Sequence, residues 1–142
     1  MTFDEPHYRR IGVAIDYGEM DPKVLSHARM LAKLYSAEIT LFHVVEGVSG
    51  QIYGKRAFDD EARTDLERLE AIARKVAETG VEVHAALGFG RVPEQIIRLS
   101  QENRIDVLVM GGHGHRGLQD LLFGASISEV RHQLTIPVLV VQ

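Results

Sequence analysis

The chain has 142 residues, of which 45% are hydrophobic and 25% charged, with a formal net charge of −4. That length and ordinary composition fit one domain, residues 1–142, with a sizeable core; the negative balance argues against general nucleic-acid binding. No apolar run reaches the roughly 18 residues a membrane span needs, and the absence of cysteine removes disulfides, thiolate zinc sites and cysteine nucleophiles.

The opening Met1 to Arg10 lacks the apolar stretch of a secretory signal, so the expected compartment is the cytoplasm. Ile11-Gly12-Val13-Ala14-Ile15 reads as a first buried strand that ends at Asp16. Asp21 is expected to cap a helix with Pro22 at its first position. Leu25, Ala28, Leu31, Ala32 and Tyr35 recur at helical spacing and mark its apolar stripe. Glu38 to Val45 is the second strand. Residues 46–58 hold three glycines and no period, the one long loop.

From Asp59 to about Glu78 a second helix is expected, with Ala62, Leu66, Leu69, Ala73 and Val76 inward and Gly80 closing it. Arg63, Glu67, Arg68, Lys75 and Glu78 read as its solvated face. Val81 to Leu87 is the third strand, and Pro93 begins a third helix that ends near Asn103. Val107 to Met110 is a fourth strand, apolar on both faces. It empties into Gly111, Gly112, Gly114 and Gly117, with His113, His115 and Arg116 between them. Gly124-Ala125-Ser126 is read as the head of a last helix running to Leu134, and Val138 to Val141 as a fifth strand.

Strands alternating with helices predict an α/β fold: a Rossmann-like three-layer sandwich with a five-stranded parallel sheet and helices on both faces. Ligands in such sheets sit beyond the carboxyl ends of the strands, where the strand order reverses. That rim gathers Asp16, the segment after Val44 and the Gly111 loop. Glycines bring backbone N–H groups close to an anion, and a helix N-terminus favours negative charge. The strand, glycine loop and helix head together describe a phosphate cradle.

Gly112-His-Gly114-His-Arg-Gly117 also satisfies G-x-G-x-x-G, but the dinucleotide fingerprint belongs after a first strand and needs an acidic residue about 20 positions later. Neither condition is met. The Walker-type G-x-x-x-x-G-K-[ST] is absent. What remains is Gly111-x-x-Gly114, nine residues, then Gly124. With Val-Ala-Ile-Asp16 and Leu-Phe-His43-Val44-Val45, this resembles the universal stress protein family, from Arg10 to Val141. The resemblance implies a homodimer that binds ATP or AMP.

Carried over by that resemblance, Asp16 would meet the ribose or adenine, and the Val44 backbone would read the adenine edge. Ala14 would leave the adenine room. Met110, Gly111 and Gly114 would line the ribose and phosphates. Gly124, Ala125, Ser126 and Ile127 would wrap the terminal phosphates through backbone N–H groups. Ala125 departs from the family pattern, which has Ser or Thr there. A lost hydrogen bond to a charged group is worth about 1.5–3 kcal/mol, so binding would weaken without vanishing.

Each residue also has a plainer reading. Asp16 could hold an Asx turn, and His43 reads as a satisfied core histidine. Arg116 matches phosphate oxygens, with a surface ion pair to Asp120 as the alternative; His115 and His113 read as phosphate contacts or solvated side chains. That His pair has no carboxylate or cysteine beside it, so no metal site is expected. The resulting expectation is a nucleotide sensor and regulator with no catalytic residues, at most very slow ATP hydrolysis, and Mg²⁺ only through the phosphates. The alternative is a nucleotide-free dimerisation module of the same fold. The uncharged Ile136 to Val141 should lie at a sheet edge and pair with a second subunit. Further assembly to a tetramer stays open.

Overall fold

The computed structural model describes residues 1–46, 55–112 and 117–142, the side chains of 55–58 and 117–124 excepted. Its elements run β1 (Arg10–Ala14), α1 (Asp21–Tyr35), β2 (Glu38–Val45), α2 (Lys55–Ala77), β3 (Val83–Phe89), α3 (Val92–Glu102), β4 (Val107–Gly111), α4 (Gly117–Gln133) and β5 (Val138–Val141). The strands form one five-stranded sheet in the order β3-β2-β1-β4-β5, and every pairing is parallel.

Alternation along the strands builds the layers, because successive side chains point to opposite faces. Ile11, Val13, Ile39, Leu41, Val107 and Val109 share one core with Val24, Ala28 and Ala32 of α1 and Leu69, Ala73 and Val76 of α2. Ala14, Phe42, Leu108 and Met110 face the other way, onto Ile96, Ile97 and Leu99 of α3 and Val130 of α4. Both faces are therefore covered, as a parallel sheet requires. Gly12 falls on the second face. A Cβ there would stand 3.0 Å from both Phe42 Cε2 and Ile105 Cγ2, so the two large side chains leave room for hydrogen alone.

Several boundaries differ from the sequence expectations. The second helix starts at Lys55 instead of Asp59, since Lys, Arg and Ala are strong helix formers even without an apolar period. Leu66 on that helix is exposed. The third strand runs Val83–Phe89, two residues later than expected, while Val81 packs into the core from the turn after Gly80. Gly80 does close its helix, at φ +92°. Asp21 is not the α1 cap: Met20 holds that position and Asp21 is the first helical residue. The largest correction is α4, which begins at Gly117 and not near Gly124. Leu118 to Phe123 favour helix, and one internal glycine costs about 1 kcal/mol, too little to break it. Among the described residues no helix is long and apolar enough to cross a membrane.

Candidate functional site

The strand order reverses between β1 and β4: the chain steps outward to β2 and β3, then returns to lay β4 and β5 on the other side. Crevices form at the carboxyl ends of strands flanking such a point. Ala14, 7% exposed, ends β1 opposite Phe42 on one side and fully buried Met110 on the other. Half-buried Val44 packs on the same cluster, as do Val140 and Ile127. The sheet thus brings Ala14, Val44 and Met110 together as an apolar floor.

Val44 also offers its backbone. In a strand, the N–H and C=O of residues two apart point to the same side. The Phe42 carbonyl accepts the Ile15 N–H at 2.9 Å, toward β1, whereas the Val45 carbonyl accepts the Gly90 N–H at 3.0 Å, toward β3. Val44 polar groups therefore point to the β1 side, just past the end of that strand. Gly111 closes β4 opposite Val141 and is buried.

Asp16 stands at the rim, half-buried. Its Oδ1 accepts the Gly18 N–H at 2.9 Å, which is the Asx-turn geometry. The Asp16 N–H in turn donates to Asp21 Oδ1 at 3.3 Å. Asp21 is buried, and its Oδ2 lacks a hydrogen-bond partner among the described residues. Burial first, then the Asp16 charge, push the Asp21 carboxyl up to about 7.

Between these carboxylates Tyr17 takes φ +62°, a left-handed conformation that is uncommon for a bulky residue. Its ring stacks on His43 with centroids 3.9 Å apart, and the Arg68 guanidinium lies 4.3 Å from its centroid. The Tyr17 hydroxyl donates to the Asp65 carbonyl at 2.6 Å. Burial, with the Asp65 charge behind it, raises the hydroxyl pKa above its ordinary value. His43 Nδ1 lies 3.1 Å from the Ile15 carbonyl, the satisfied arrangement expected of it, and its Nε2 is 3.7 Å from Asp65 Oδ2. Tyr17, Asp21, Asp65 and Arg68 were not singled out as site residues by the sequence. Arg68, assigned to a solvated face, instead covers the Tyr17 ring. The usable signal was the Asp65–Arg68 spacing, which puts both on one helix face.

The phosphate end is less complete. Gly114, His115 and Arg116 lie outside the described residues, as does the proposed Arg116–Asp120 pair. Gly124, Ala125, Ser126 and Ile127 fall inside α4, with Ala125 exposed and Ser126 buried. They are not at a helix head, where N–H groups stand free, but where the backbone ladder takes them up. On the same helix Glu129 forms a two-pronged ion pair with Arg91, Nη1 to Oε2 at 2.9 Å and Nη2 to Oε1, which ties the start of α3 to α4. Those bonds hold the Glu129 carboxyl below, and the Arg91 guanidinium above, their ordinary ranges.

A sheet wound both ways from β1, with an apolar cluster and a carboxylate at its switch point, defines the Rossmann-like α/β class. The model of the universal stress protein family matches residues 7–142, and the chain belongs to that family. Universal stress protein YxiE of Bacillus subtilis is 29% identical, over 95% of this chain and 99% of its own. The solved structure of MJ0577, a universal stress protein of Methanocaldococcus jannaschii, superposes with a TM-score of 0.77 at 25% identity, covering 96% of each chain. A universal stress protein from Archaeoglobus fulgidus, solved in complex with dAMP, shares the fold with a TM-score of 0.69 at 20% identity, covering 95% and 98%.

Proposed function

We propose that the chain binds an adenine nucleotide, ATP foremost, in the crevice between β1 and β4 and works in the cytoplasm as a nucleotide-gated regulator. The observation that carries this reading is the meeting of Ala14, Val44 and Met110 beneath Asp16, with the Val44 backbone aimed past the end of β1. The fit is good for the base and ribose. Half-buried Val44, packed on buried Ala14 and Met110, suits a purine, the Val44 N–H and C=O suit its polar edge, and Asp16 suits a ribose hydroxyl. The dAMP held by the A. fulgidus protein supports the same chemistry on the same fold.

For the phosphates the chain offers Gly111, Gly114, His115 and Arg116, together with the backbone from Gly124 to Ile127. The last four must leave the α4 ladder before their N–H groups can donate. A bound nucleotide would supply three phosphates and any Mg²⁺ carried on them. Among the described residues of the rim, no base is paired with a nucleophile. The reading is therefore a binder, with hydrolysis far below the ~1 s⁻¹ of an ordinary enzyme.

Calorimetric titration of nucleotide-stripped protein with ATP and Mg²⁺, with NAD and GTP as controls, tests this. Saturable binding of ATP alone, lost in Gly114→Val and weakened in Asp16→Asn, is the expected result. Absence of heat and of thermal stabilisation would leave the second reading, a nucleotide-free interaction module. The unbroken α4 from Gly117 and the Ala125 methyl in place of a hydroxyl favour that alternative.

The dimer belongs to either reading. β5 lies at the sheet edge, where Leu139 is 36% exposed. Pairing Val138 to Val141 with the same strand of a second copy would cover it.

A further inference from the structure

At the opposite end of the sheet, strand pairing brings Glu38 beside Glu82 and His84, a pair two residues apart in the sequence, and all three carry groups able to ligate a metal. The register matches Arg10 with Glu38, Ile39 with Val83 and Thr40 with His84. Glu38 and Glu82 therefore stand opposite each other at the amino ends of β2 and β3, with His84 one step along on the same face. Like charges placed directly opposite each other destabilise a sheet. Arg10 Nε, 3.2 Å from Glu38 Oε1, offsets one of the two carboxylates.

We propose that Glu38, Glu82 and His84 form a site for a zinc-type divalent cation, distinct from the nucleotide crevice. His84 Nε2 is 3.1 Å from Glu82 Oε1 and 3.9 Å from Glu38 Oε2, and one ligand atom from each residue falls within 4.8 Å of the others. Donor atoms around a tetrahedral zinc, bound at roughly 2.0–2.2 Å, stand about 3.4 Å apart. One edge of that tetrahedron is already shorter than this and another is about half an ångström too long, by the same estimate. The backbone is fixed by sheet hydrogen bonds such as Ile39 N–H to the Glu82 carbonyl at 2.8 Å, so the remaining adjustment falls to the side chains.

The imidazole decides the class of metal. Calcium and magnesium prefer oxygen donors throughout, whereas one nitrogen and two carboxylates suit zinc with a fourth position left for water. Glu38 and Glu82, though not His84, also line a cleft of about 440 Å³ open to solvent. Arg9 and Lys33 line the same cleft, and with Arg10 they oppose the cation, which limits its affinity.

The test is zinc(II) titration of the full chain in competition with a chromophoric chelator. One equivalent per chain is expected. Losing a ligand should weaken it at least about tenfold in His84→Ala and in Glu82→Gln. Those side chains are 52% and 68% exposed, so neither change touches the core. Arg10→Ala, which releases the second Glu38 oxygen, should tighten binding. No bound zinc, or unchanged binding in His84→Ala because zinc sits on other imidazoles, overturns the proposal. Loss in His84→Ala with none in Glu82→Gln overturns the three-ligand site.

Discussion

Replacing Asp21 with Asn should stabilise the fold, and by an amount that depends on pH. Asp21 is 8% exposed, its Oδ2 lacks a hydrogen-bond partner among the described residues, and burial pushes its carboxyl from an ordinary 3.8 up to about 7. Between those values the folded chain binds a proton that the unfolded chain has released. Stability from this group is therefore highest below the unfolded value and falls as pH rises toward 7. About two of the three units lie between about pH 5 and pH 8, a ceiling of about 2.7 kcal/mol at 1.36 kcal/mol per unit. Asp16 shares part of that cost, and a charge at the start of α1 recovers about 0.3–1 kcal/mol from the helix dipole. The expected gain of Asp21→Asn over the parent chain is thus about 1.5 kcal/mol larger at pH 8 than at pH 5. Urea denaturation followed by circular dichroism at both pH values gives this double difference, in which the other titrating groups cancel. A gain from Asp21→Asn that does not change with pH, or a loss at both, would refute the reasoning.

Two further expectations come from packing and the sheet edge. Gly12→Ala places a methyl 3.0 Å from Phe42 and Ile105, and overpacking of this kind costs about 1–3 kcal/mol, read as a lower urea midpoint at unchanged slope. A charge on β5 tests the dimer. Val140 packs on the second core, so exposed Leu139→Arg is the cleaner change and should give folded monomers by light scattering. An unchanged dimer would move the interface elsewhere.

How far the sequence could be read depended on whether a residue's role is local. Glu38 to Val45 and Val138 to Val141 were placed to the residue, because continuous β-branched and apolar runs bounded by turn residues leave little choice. The parallel sheet followed from alternation with helices. Gly124 misled, since a glycine before Ala-Ser looks like a helix head while the preceding Leu118 to Phe123 carry helix propensity straight through it. Asp21 looked like a cap because caps are recognised from type and position, but burial beside Asp16 gave it another environment. The Val44 backbone was legible only through the family resemblance; its physical basis, the early end of β1, is a property of the assembled sheet. Glu82 and His84, two apart, fall on one face of a strand by local spacing alone, but only the register between β2 and β3 brings Glu38 to them.

Tyr17 has a practical consequence. The chain has no tryptophan and four tyrosines, and one of them is clamped between an imidazole and a guanidinium, next to the carboxylate proposed to meet the ribose. Its near-ultraviolet absorption and emission depend on that sandwich. Anything that settles on Asp16 or shifts α2 against the rim should change them, so the site carries its own optical reporter. Tyr17→Phe subtraction spectra would isolate that signal from the other three tyrosines without attaching a label.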